Sequence, residues 1–569
     1  MLSKDLIQQA QQWIAQDPDS QTAHQLQELL DQSAQDESAL AQLTDIFSES
    51  LQFGTAGLRG ALGPGPNRMN RVTVLRAAVG LGQYLLANGL GGEPVVIGFD
   101  GRHNSEQFAE DSAEVLAGMG FKPMIFGDVI PTPVLAFTIL EQKACAGVMV
   151  TASHNPAKDN GYKVYLGDGR QIVAPVDSQI AQYISKVNNV RELVRSHNII
   201  TLGIDAVHRY VETTASILRN GPVATDDIEA IRYGYTAMHG VGYRTFSYVM
   251  KEAGFGSPEV VVQQRDPDPD FPTTPFPNPE EAGALNLAIA HAQSVQSEIV
   301  IAHDPDADRL AVALLNDQHQ WKQLQGDQVG ALLGWWMIQR AELLNVNLQG
   351  AFANSIVSSK MLSRIAEDAG LHFEQTLTGF KWVSRVPDLL YGYEEALGYS
   401  IDPIHVRDKD GISAAMLFLE MSAWLHAKKQ TVWGVLDDLA KRYGVFATKQ
   451  VSQRIASVEQ VKTTLTQLLE SRLTHIASMK VANVIDLSTG SHLPPTDGIV
   501  FELVLDGEMR TEMNSNVEQA FVTIRPSGTE PKLKCYFEVI CRTGDVSVSR
   551  LQAEHQLEQL ASTFHDLLK

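Results

Sequence analysis

The chain is poor in cysteine and has no long apolar run. Only three cysteines occur among 569 residues, Cys145, Cys535 and Cys541. That is too few for a disulfide framework and fits a reducing, cytoplasmic setting. No apolar stretch reaches the roughly 20 residues that a helix needs to cross a bilayer, so we expect no membrane partner. The first residues soon turn polar, so we expect no secretory signal.

Positive charge is also scarce. Lys and Arg number 45 against 67 Asp and Glu, a formal net charge of −22. Nucleic-acid affinity comes largely from phosphate neutralisation, so we expect no nucleic-acid partner. A small anionic ligand remains compatible with this charge, because physiological salt screens charges beyond about 8 Å and local Arg and Lys side chains then decide binding.

Length points to several domains, since one core rarely serves more than about 250–300 residues. Strand-like and helix-like segments alternate, which predicts an α/β fold. Apolar residues such as Leu6, Ala10 and Trp13 recur at helical spacing near the start and predict helices packed on the first domain. We predict a helical N-terminal extension and four domains, at 1–45, 46–215, 216–325, 326–446 and 447–569.

The most informative stretch is TASHNP at 151–156. It follows the apolar run Ala146–Val150, which predicts a buried strand that delivers Ser153 into a polar loop. Asn155-Pro156 ends regular structure, because proline lacks an amide donor and restricts the residue before it. A serine beside His154 and close to Lys163 is a candidate nucleophile, and an ordinary turn serine is the alternative.

Two further loops follow predicted strands. DPDADR at 304–309 places Asp304, Asp306 and Asp308 at alternate positions. In an extended loop these carboxylates can converge on Mg²⁺, and a solvated acidic turn is the alternative. RPSGTEPK at 525–532 offers hydroxyls, a glycine and cations that suit a phosphate. A nucleophile, a cation site and an anion site together suit phosphoryl transfer.

Five motifs occur in a characteristic order: FGTAGLRG at 53–60, TASHNP, DPDADR, GYEEA at 392–396 and RPSGTEP. Together they resemble the α-D-phosphohexomutase family, which holds phosphoglucomutases and phosphomannomutases. EEALGY at 394–399 and RDKDG at 407–411 resemble the branch that includes phosphoglucomutase 2 and phosphopentomutase. The resemblance implies three mixed α/β sheet domains and a C-terminal α+β domain around a central cleft.

The resemblance also implies roles for the motif residues. Ser153 carries the phosphoryl group and holds Mg²⁺ with the three aspartates. We expect Lys163 to handle the proton, ahead of His154 or Lys409. Glu394 and Glu395 would face opposite ways in an extended strand, so we expect Glu394 alone to grip the sugar. Arg59 is expected to contact the active-site phosphate. The other expected substrate contacts are Arg309, Thr378, Gly379, Lys381, Ala396, Lys409, Arg525, Ser527, Gly528, Thr529 and Lys534, with 378–381 and 392–400 predicted as loops.

We therefore expect a phosphosugar mutase that converts glucose 1-phosphate to glucose 6-phosphate through a phosphoserine and a bisphosphate. A sugar 1,6-bisphosphate would then be an activator. Mannose and pentose phosphates remain open as substrates, because many relatives carry serine where this chain has Ala396. A metal-dependent sugar phosphatase and a non-catalytic sugar-phosphate sensor are the alternatives from other classes. The expected partner is a small phosphosugar, bound by a monomer or homodimer.

Overall fold

The computed structural model describes residues 3–55, 57–455, 457–490, 493–526, 532–542 and 544–568. They divide into two compact units. The first unit holds residues 3–324 and 398–423, and the second holds the rest of the described chain. No described helix is both long enough and apolar enough to cross a membrane.

Three helices open the first unit: α1 (Lys4–Gln16), α2 (Ser20–Gln32) and α3 (Glu37–Ser48). Each begins at a side-chain cap, because Ser3, Asp19 and Asp36 accept backbone N–H bonds that the first turn leaves unpaired. Their apolar faces pack with Val72 and Leu75 of the following domain. The predicted helical packing is thus confirmed.

The first sheet has six strands, in the order β1-β5-β4-β2-β3-β6. They are β1 (Leu58–Ala61), β2 (Pro94–Phe99), β3 (Lys122–Phe126), β4 (Ala146–Val150), β5 (Asp159–Leu166) and β6 (Ile200–Leu202). Strand β5 is antiparallel to both its neighbours, and the other pairs are parallel. The helices are α4 (Arg71–Ala87), α5 (Ser105–Gly118), α6 (Thr132–Glu141), α7 (Val176–Ile184) and α8 (Ile204–Ser216). Strand β4 is buried throughout and ends just before TASHNP, as predicted.

The second sheet has the strand order β11-β10-β9-β7-β8. Its strands are β7 (Gly234–Thr236), β8 (Glu259–Val260), β9 (Ile299–Ala302), β10 (Ala311–Leu315) and β11 (Trp321–Gln323). The helices are α9 (Thr225–Ala230), α10 (Gly242–Glu252) and α11 (Asn286–Ser294). Strand β9 occupies the predicted apolar run and leads directly into the aspartate loop.

The second unit begins with α12 (Gly326–Leu343) and a sheet in which β12 (Ala351–Ser355) lies between β13 (His372–Thr376) and β14 (Leu389–Glu394), all parallel. The helices α13 (Met361–Asp368) and α14 (Phe380–Val383) connect these strands. Strand β15 (Gly398–Ser400) and the start of α15 (Gly411–Ala427) belong to the first unit. The prediction that 392–400 is a loop is wrong, because strands occupy both of its ends.

The last sheet is fully antiparallel, in the order β16-β21-β20-β19-β18-β17. Helix α16 (Val432–Tyr443) precedes it. The strands are β16 (Val445–Arg454), β17 (His475–Ile476), β18 (Met479–Asp486), β19 (Ile499–Leu505), β20 (Val517–Pro526) and β21 (Lys532–Cys541), with helices α17 (Val458–Glu470) and α18 (Val546–Leu567). Phe501 and Phe537 pack on Phe564 of α18. The predicted α/β architecture, with a distinct C-terminal α+β region, is confirmed; the domain bounds remain a prediction.

Candidate active site

Ser153 lies where the buried strand β4 ends. Its backbone has a φ of 51°, a left-handed conformation that is uncommon for a residue with a side chain. The Thr151 hydroxyl accepts the Ser153 N–H at 2.8 Å. Ser153 Oγ donates to Asp304 Oδ2 at 2.8 Å and lies 3.3 Å from His154 Nδ1. The structure therefore brings together the predicted nucleophile, a histidine and an aspartate from another sheet.

Arg102 holds the serine loop in place. Its guanidinium donates to the carbonyl oxygens of Ser153 at 2.5 Å, Asn155 at 2.6 Å, Pro156 at 2.9 Å and Asp159 at 3.2 Å. The residue is 4% exposed, and its Nε lies 3.3 Å from the Asp100 carboxylate. No role was expected for Arg102, and the signal that the sequence offered was its position shortly after the apolar run at 95–99.

The three aspartates converge, but through a tight turn rather than an extended loop. Ala307 has a φ of 55°, and its N–H donates to the Asp304 carbonyl oxygen at 2.8 Å. This turn corrects the predicted extended conformation. One carboxylate oxygen from each of Asp304, Asp306 and Asp308 lies within 4.8 Å of the others, and all three residues are fully buried.

Two lysines neutralise part of this charge. Lys163 Nζ lies 2.6 Å from Asp306 and 2.8 Å from Asp308, and Lys409 Nζ lies 2.7 Å from Asp308. Burial opposes ionisation, but the lysines hold the pKa values of Asp306 and Asp308 below their usual range. Burial and the two neighbouring carboxylates instead raise the pKa of Asp304 well above its usual range.

The cluster fits a hard cation such as Mg²⁺. Asp306 Oδ1 and Asp308 Oδ1 are buried and have no hydrogen-bond partner among the described residues. Thr132, which the sequence analysis missed, donates its hydroxyl to Asp306 Oδ2 at 2.6 Å and fixes that carboxylate. Closely spaced carboxylate oxygens are the ligands that Mg²⁺ takes in proteins. Buried carboxylate oxygens that accept no hydrogen bond are what a cation ligand set requires.

The ranking of Lys163 as first proton carrier stays a prediction, and the charges around Lys163 and His154 bear on it. Although burial alone lowers the pKa of Lys163, Asp306 and Asp308 raise it above its usual range. A fully protonated amine cannot accept a proton. Desolvation and the nearby charges of Arg309 and Arg59 lower the pKa of His154 well below its usual range, so His154 is neutral near pH 7. A neutral imidazole 3.3 Å from Ser153 Oγ is able to accept a proton.

Arg59 and Arg309 add positive charge near the serine loop. Arg59, on β1, donates to Asn155 Oδ1 at 3.3 Å. Arg309 Nε lies 3.8 Å from Asp304, and its Nη1 lies 3.5 Å from Glu280. Burial and the charge of Arg309 lower the pKa of Arg59. An anion such as a phosphate would relieve this repulsion, and the phosphate contact of Arg59 stays a prediction.

The predicted sugar-binding residues lie in the second unit. Glu394 ends β14, and its carboxylate accepts the Gly379 N–H at 2.6 Å, which joins the 378–381 segment to the GYEEA motif. The Glu395 carboxylate accepts the hydroxyls of Ser355 and Ser358 instead. The two glutamates thus have separate partners, as their adjacency predicts. Lys381 lies in the short helix α14 and not in a loop, which corrects that prediction. Thr378 precedes that helix, and Ala396 follows β14.

The predicted phosphate loop is described in part. Arg525 on β20 is paired in register with Lys534 on β21, so two cations lie side by side. Lys532 begins the same strand, and alternation places it on the face of Lys534. Ser527, Gly528 and Thr529 lie outside the described residues.

Comparison with known families gives three matches along the chain. Residues 50–191 match phosphoglucomutase/phosphomannomutase, alpha/beta/alpha domain I. Residues 208–317 match domain II of the same family, and residues 325–443 match domain III. The three matches follow one another in order and together take up well over half of the chain.

Individual relatives span most of the chain. A Haemophilus influenzae protein named "Probable phosphomannomutase" is 45% identical over 83% of this chain and 93% of its own length. A human protein named phosphopentomutase is 34% identical over 99% of this chain and 95% of its own length. The crystal structure of parafusin (phosphoglucomutase) from Paramecium has a TM-score of 0.66 at 18% identity and covers 91% of this chain and 95% of its own. That structure shows the likeness of fold.

Proposed function

The chain belongs to the phosphoglucomutase/phosphomannomutase family and is a sugar-phosphate mutase, and from this premise we propose that it moves a phosphoryl group between the 1- and 6-positions of a hexose through phosphorylated Ser153. The observation that carries the proposal is the 2.8 Å contact of Ser153 Oγ with one of three converging aspartates. A buried hydroxyl beside a cation site is what phosphoryl transfer through a serine requires.

The proposed cycle has two transfers. In the first, the bond between Ser153 Oγ and phosphorus breaks as the free hydroxyl oxygen of the sugar monophosphate binds that phosphorus. His154 takes the hydroxyl proton and passes it to Ser153 Oγ, from which its Nδ1 is 3.3 Å away. The resulting bisphosphate presents its other phosphoryl group, and the same steps in reverse phosphorylate Ser153 and release the isomer.

Asp304, Asp306 and Asp308, with phosphorylated Ser153, would hold Mg²⁺. A bound Mg²⁺ would supply Lewis-acid withdrawal of charge from the phosphoryl group. Lys163 and Lys409 balance the remaining carboxylate charge through their contacts with Asp306 and Asp308. Arg59 holds the phosphate beside the serine loop, and Arg102 holds the loop itself.

The second unit supplies the proposed grip on the substrate. Glu394, fixed by Gly379, accepts sugar hydroxyls in either orientation of the sugar. Thr378 and Lys381 flank that contact in sequence. The paired cations Arg525 and Lys534 bind the phosphate that is not reacting, together with Ser527, Gly528 and Thr529. Arg309 is assigned to the substrate phosphate near the aspartates.

A pentose phosphate is the second candidate substrate. The human relative that spans nearly the whole chain is named phosphopentomutase. Ala396 also offers no hydroxyl two residues after Glu394, where hexose-specific members of the family often carry serine. Mannose 1-phosphate is the third candidate, from the name of the Haemophilus relative.

Incubation of the purified protein with Mg²⁺ and glucose 1-phosphate tests the proposal. Glucose 6-phosphate as product supports it, whereas inorganic phosphate indicates a phosphatase and an unchanged substrate indicates a sensor. Initial rates with mannose 1-phosphate, ribose 1-phosphate and deoxyribose 1-phosphate rank the sugars. A ribose 1-phosphate rate well above the glucose 1-phosphate rate would replace the hexose assignment with the pentose one.

A further inference from the structure

A pocket of about 560 Å³ lies where the N-terminal helices meet the first sheet domain. Helices α1 and α3 supply Trp13 and Phe47, and helix α4 supplies Arg76. Only one side of the pocket lies within the domain I match, which begins at residue 50. The volume lies within the range of small-molecule sites.

Arg76 is the only charged side chain among the described residues of the lining. Its guanidinium lies over the Trp13 ring, with Cζ 5.1 Å from the ring centroid. Its acceptors, Gln16 Oε1 and the Asn188 carbonyl oxygen, both lie at the long distance of 3.4 Å. Arg76 forms no ion pair within the described part of the chain. A half-buried guanidinium without a counter-ion suits an incoming anion.

Two donors of the lining residues also lack acceptors. Trp13 Nε1 and Arg76 Nε are buried and, in the described chain, have no hydrogen-bond partner. Buried donors without acceptors cost free energy. A boundary between helices that served packing alone would be expected to give each of these donors an acceptor. Because both atoms are closed to solvent, the contact with an anion falls to the accessible part of the Arg76 guanidinium.

The rest of the lining suits hydroxyl groups. It contains five carboxamides, those of Gln9, Gln12, Gln16, Asn188 and Asn189. Each carboxamide can both donate and accept, as sugar hydroxyls do. No carboxylate lines the pocket among the residues described, so nothing there repels a phosphate.

We propose that this pocket is a second ligand site, separate from the Ser153 site, that binds a phosphorylated sugar. Arg76 pairs with the phosphate, the carboxamides bind the hydroxyls, and Trp13 and Phe47 form the apolar wall. The ligand is either a simple sugar phosphate or the sugar phosphate of a nucleotide, since both present this chemistry. The proposal does not depend on the reaction proposed for Ser153.

The test is hydrogen–deuterium exchange on the full-length protein with glucose 6-phosphate, ribose 5-phosphate, AMP or inorganic phosphate. Exchange is followed separately in residues 4–16 and 186–192, because both segments contribute residues to the pocket lining. Protection around Ser153 is therefore not counted as binding in this pocket. At least one sugar phosphate should slow exchange in both segments, and inorganic phosphate alone should need a concentration about tenfold higher. Protection by AMP alone would identify the nucleotide as the source.

Two variants make the assignment specific. Arg76→Gln removes the positive charge. It should raise the ligand concentration needed for half-maximal protection about tenfold or more. Ala15→Trp fills the pocket from an exposed position on α1 and keeps Arg76, so it should also abolish protection even if Arg76→Gln folds poorly. Arg219→Gln, an exposed position outside the pocket, should match the wild type.

The proposal is overturned if no compound protects the wild type. It is also overturned if Arg76→Gln and Ala15→Trp are both protected as strongly as the wild type. Turnover of glucose 1-phosphate, measured on the same samples, reports separately on the reaction proposed for Ser153. Intact turnover without protection rejects only the second site, and protection without turnover rejects only the proposed reaction.

Discussion

At the residue scale, Ser153 concentrates the proposed chemistry in one hydroxyl. It is 2% exposed, adopts a left-handed backbone and contacts a buried aspartate, a costly arrangement for an ordinary turn residue. The cost is understandable if the hydroxyl must be held for transfer. Two predictions belong to single side chains.

Ser153→Ala should lower mutase turnover at least about a thousandfold, because no other group can carry the phosphoryl group. Intact-mass spectrometry after incubation with a sugar bisphosphate should show one added phosphate on the wild type and none on the variant. Ser185→Ala, an exposed serine of the same domain, should behave as the wild type. Near-normal turnover in Ser153→Ala would end the covalent mechanism.

Ala396→Ser should shift preference toward hexose phosphates. The new hydroxyl would add a hydrogen bond near the Glu394 grip, worth about 0.5–1.5 kcal/mol, so the ratio of kcat/KM values for glucose and ribose 1-phosphates should change several-fold. Both substrates are measured under the same Mg²⁺ and bisphosphate concentrations. If the ratio stays constant or moves toward ribose, position 396 does not face the sugar.

At the scale of structural elements, the loops after strands depend on buried polar residues elsewhere in the fold. Arg102 binds four carbonyl oxygens around the serine loop, and Asp327, in the first turn of α12, accepts the Ser359 N–H and the Tyr393 hydroxyl. Each shapes an element through contacts distant in sequence. Each gives one prediction.

Arg102→Lys should reduce kcat roughly ten- to hundredfold with little change in KM. Lysine keeps the positive charge beside Asp100, but its single amine cannot donate to all four carbonyl oxygens that the guanidinium binds. The serine loop would then shift and displace Ser153. The rate at which a sugar bisphosphate phosphorylates Ser153 should fall in parallel with kcat. This rate reports on the position of the serine, whereas a loss of stability alone would lower the amount of folded protein. Arg219→Lys is the surface control. An unchanged phosphorylation rate in Arg102→Lys would contradict the positioning role.

Asp327→Asn should make the second unit more stable at high pH. Burial raises the pKa of Asp327 to about 7, and nearby Glu395 and Glu538 add to the shift against the Ser359 N–H. An acid with a raised folded-state pKa binds more protons when folded, so its contribution to stability falls as pH rises from about 4 toward 7 and above. Asparagine does not ionise and escapes this loss.

The size of that effect follows from the difference between the folded-state pKa of Asp327, about 7, and the ordinary aspartate pKa of about 4. The stability gain of Asp327→Asn over the wild type should be larger at pH 8 than at pH 5 by roughly 3 kcal/mol. Urea unfolding followed by tryptophan fluorescence measures it at both pH values. Asp438→Asn, an exposed carboxylate on α16, should show no such dependence. A gain that is equal at both pH values would mean that Asp327 is ionised throughout.

At the scale of the whole molecule, the proposed site residues are divided between two units. The first holds the nucleophile and the aspartates, and the second holds the proposed contacts to the sugar and the distal phosphate. In the proposed cycle, the bisphosphate must exchange which of its phosphates faces Ser153, and any bisphosphate that escapes leaves an unphosphorylated serine. Activity should therefore depend on priming.

Fully dephosphorylated protein should show a lag or low rate with glucose 1-phosphate, and a catalytic amount of glucose 1,6-bisphosphate should restore the full rate. The physical reason is that an unphosphorylated Ser153 has no phosphoryl group to donate. Progress curves with and without bisphosphate, with intact mass recorded before mixing, measure this. Immediate full activity without added bisphosphate would contradict the cycle.

The amino-acid sequence alone determined which loops follow buried strands, and so where the candidate site residues lie along the chain. The apolar runs before TASHNP and DPDADR predicted β4 and β9, and the spacing of Leu6, Ala10 and Trp13 predicted packed helices. These signals are local, because side-chain alternation and helical periodicity depend only on near neighbours. For the same reason, the motifs in their order were enough to indicate the family.

Only the tertiary structure decided which side chains meet. Ser153 and Asp304 are 151 positions apart, and Lys163 reaches Asp306 across 143. Local patterns carry no information about such pairs, because the order of strands and the pairing of sheets bring them together. The two carboxylates on Lys163, the carbonyls around Arg102 and the stacking of Arg76 on Trp13 all follow from that packing.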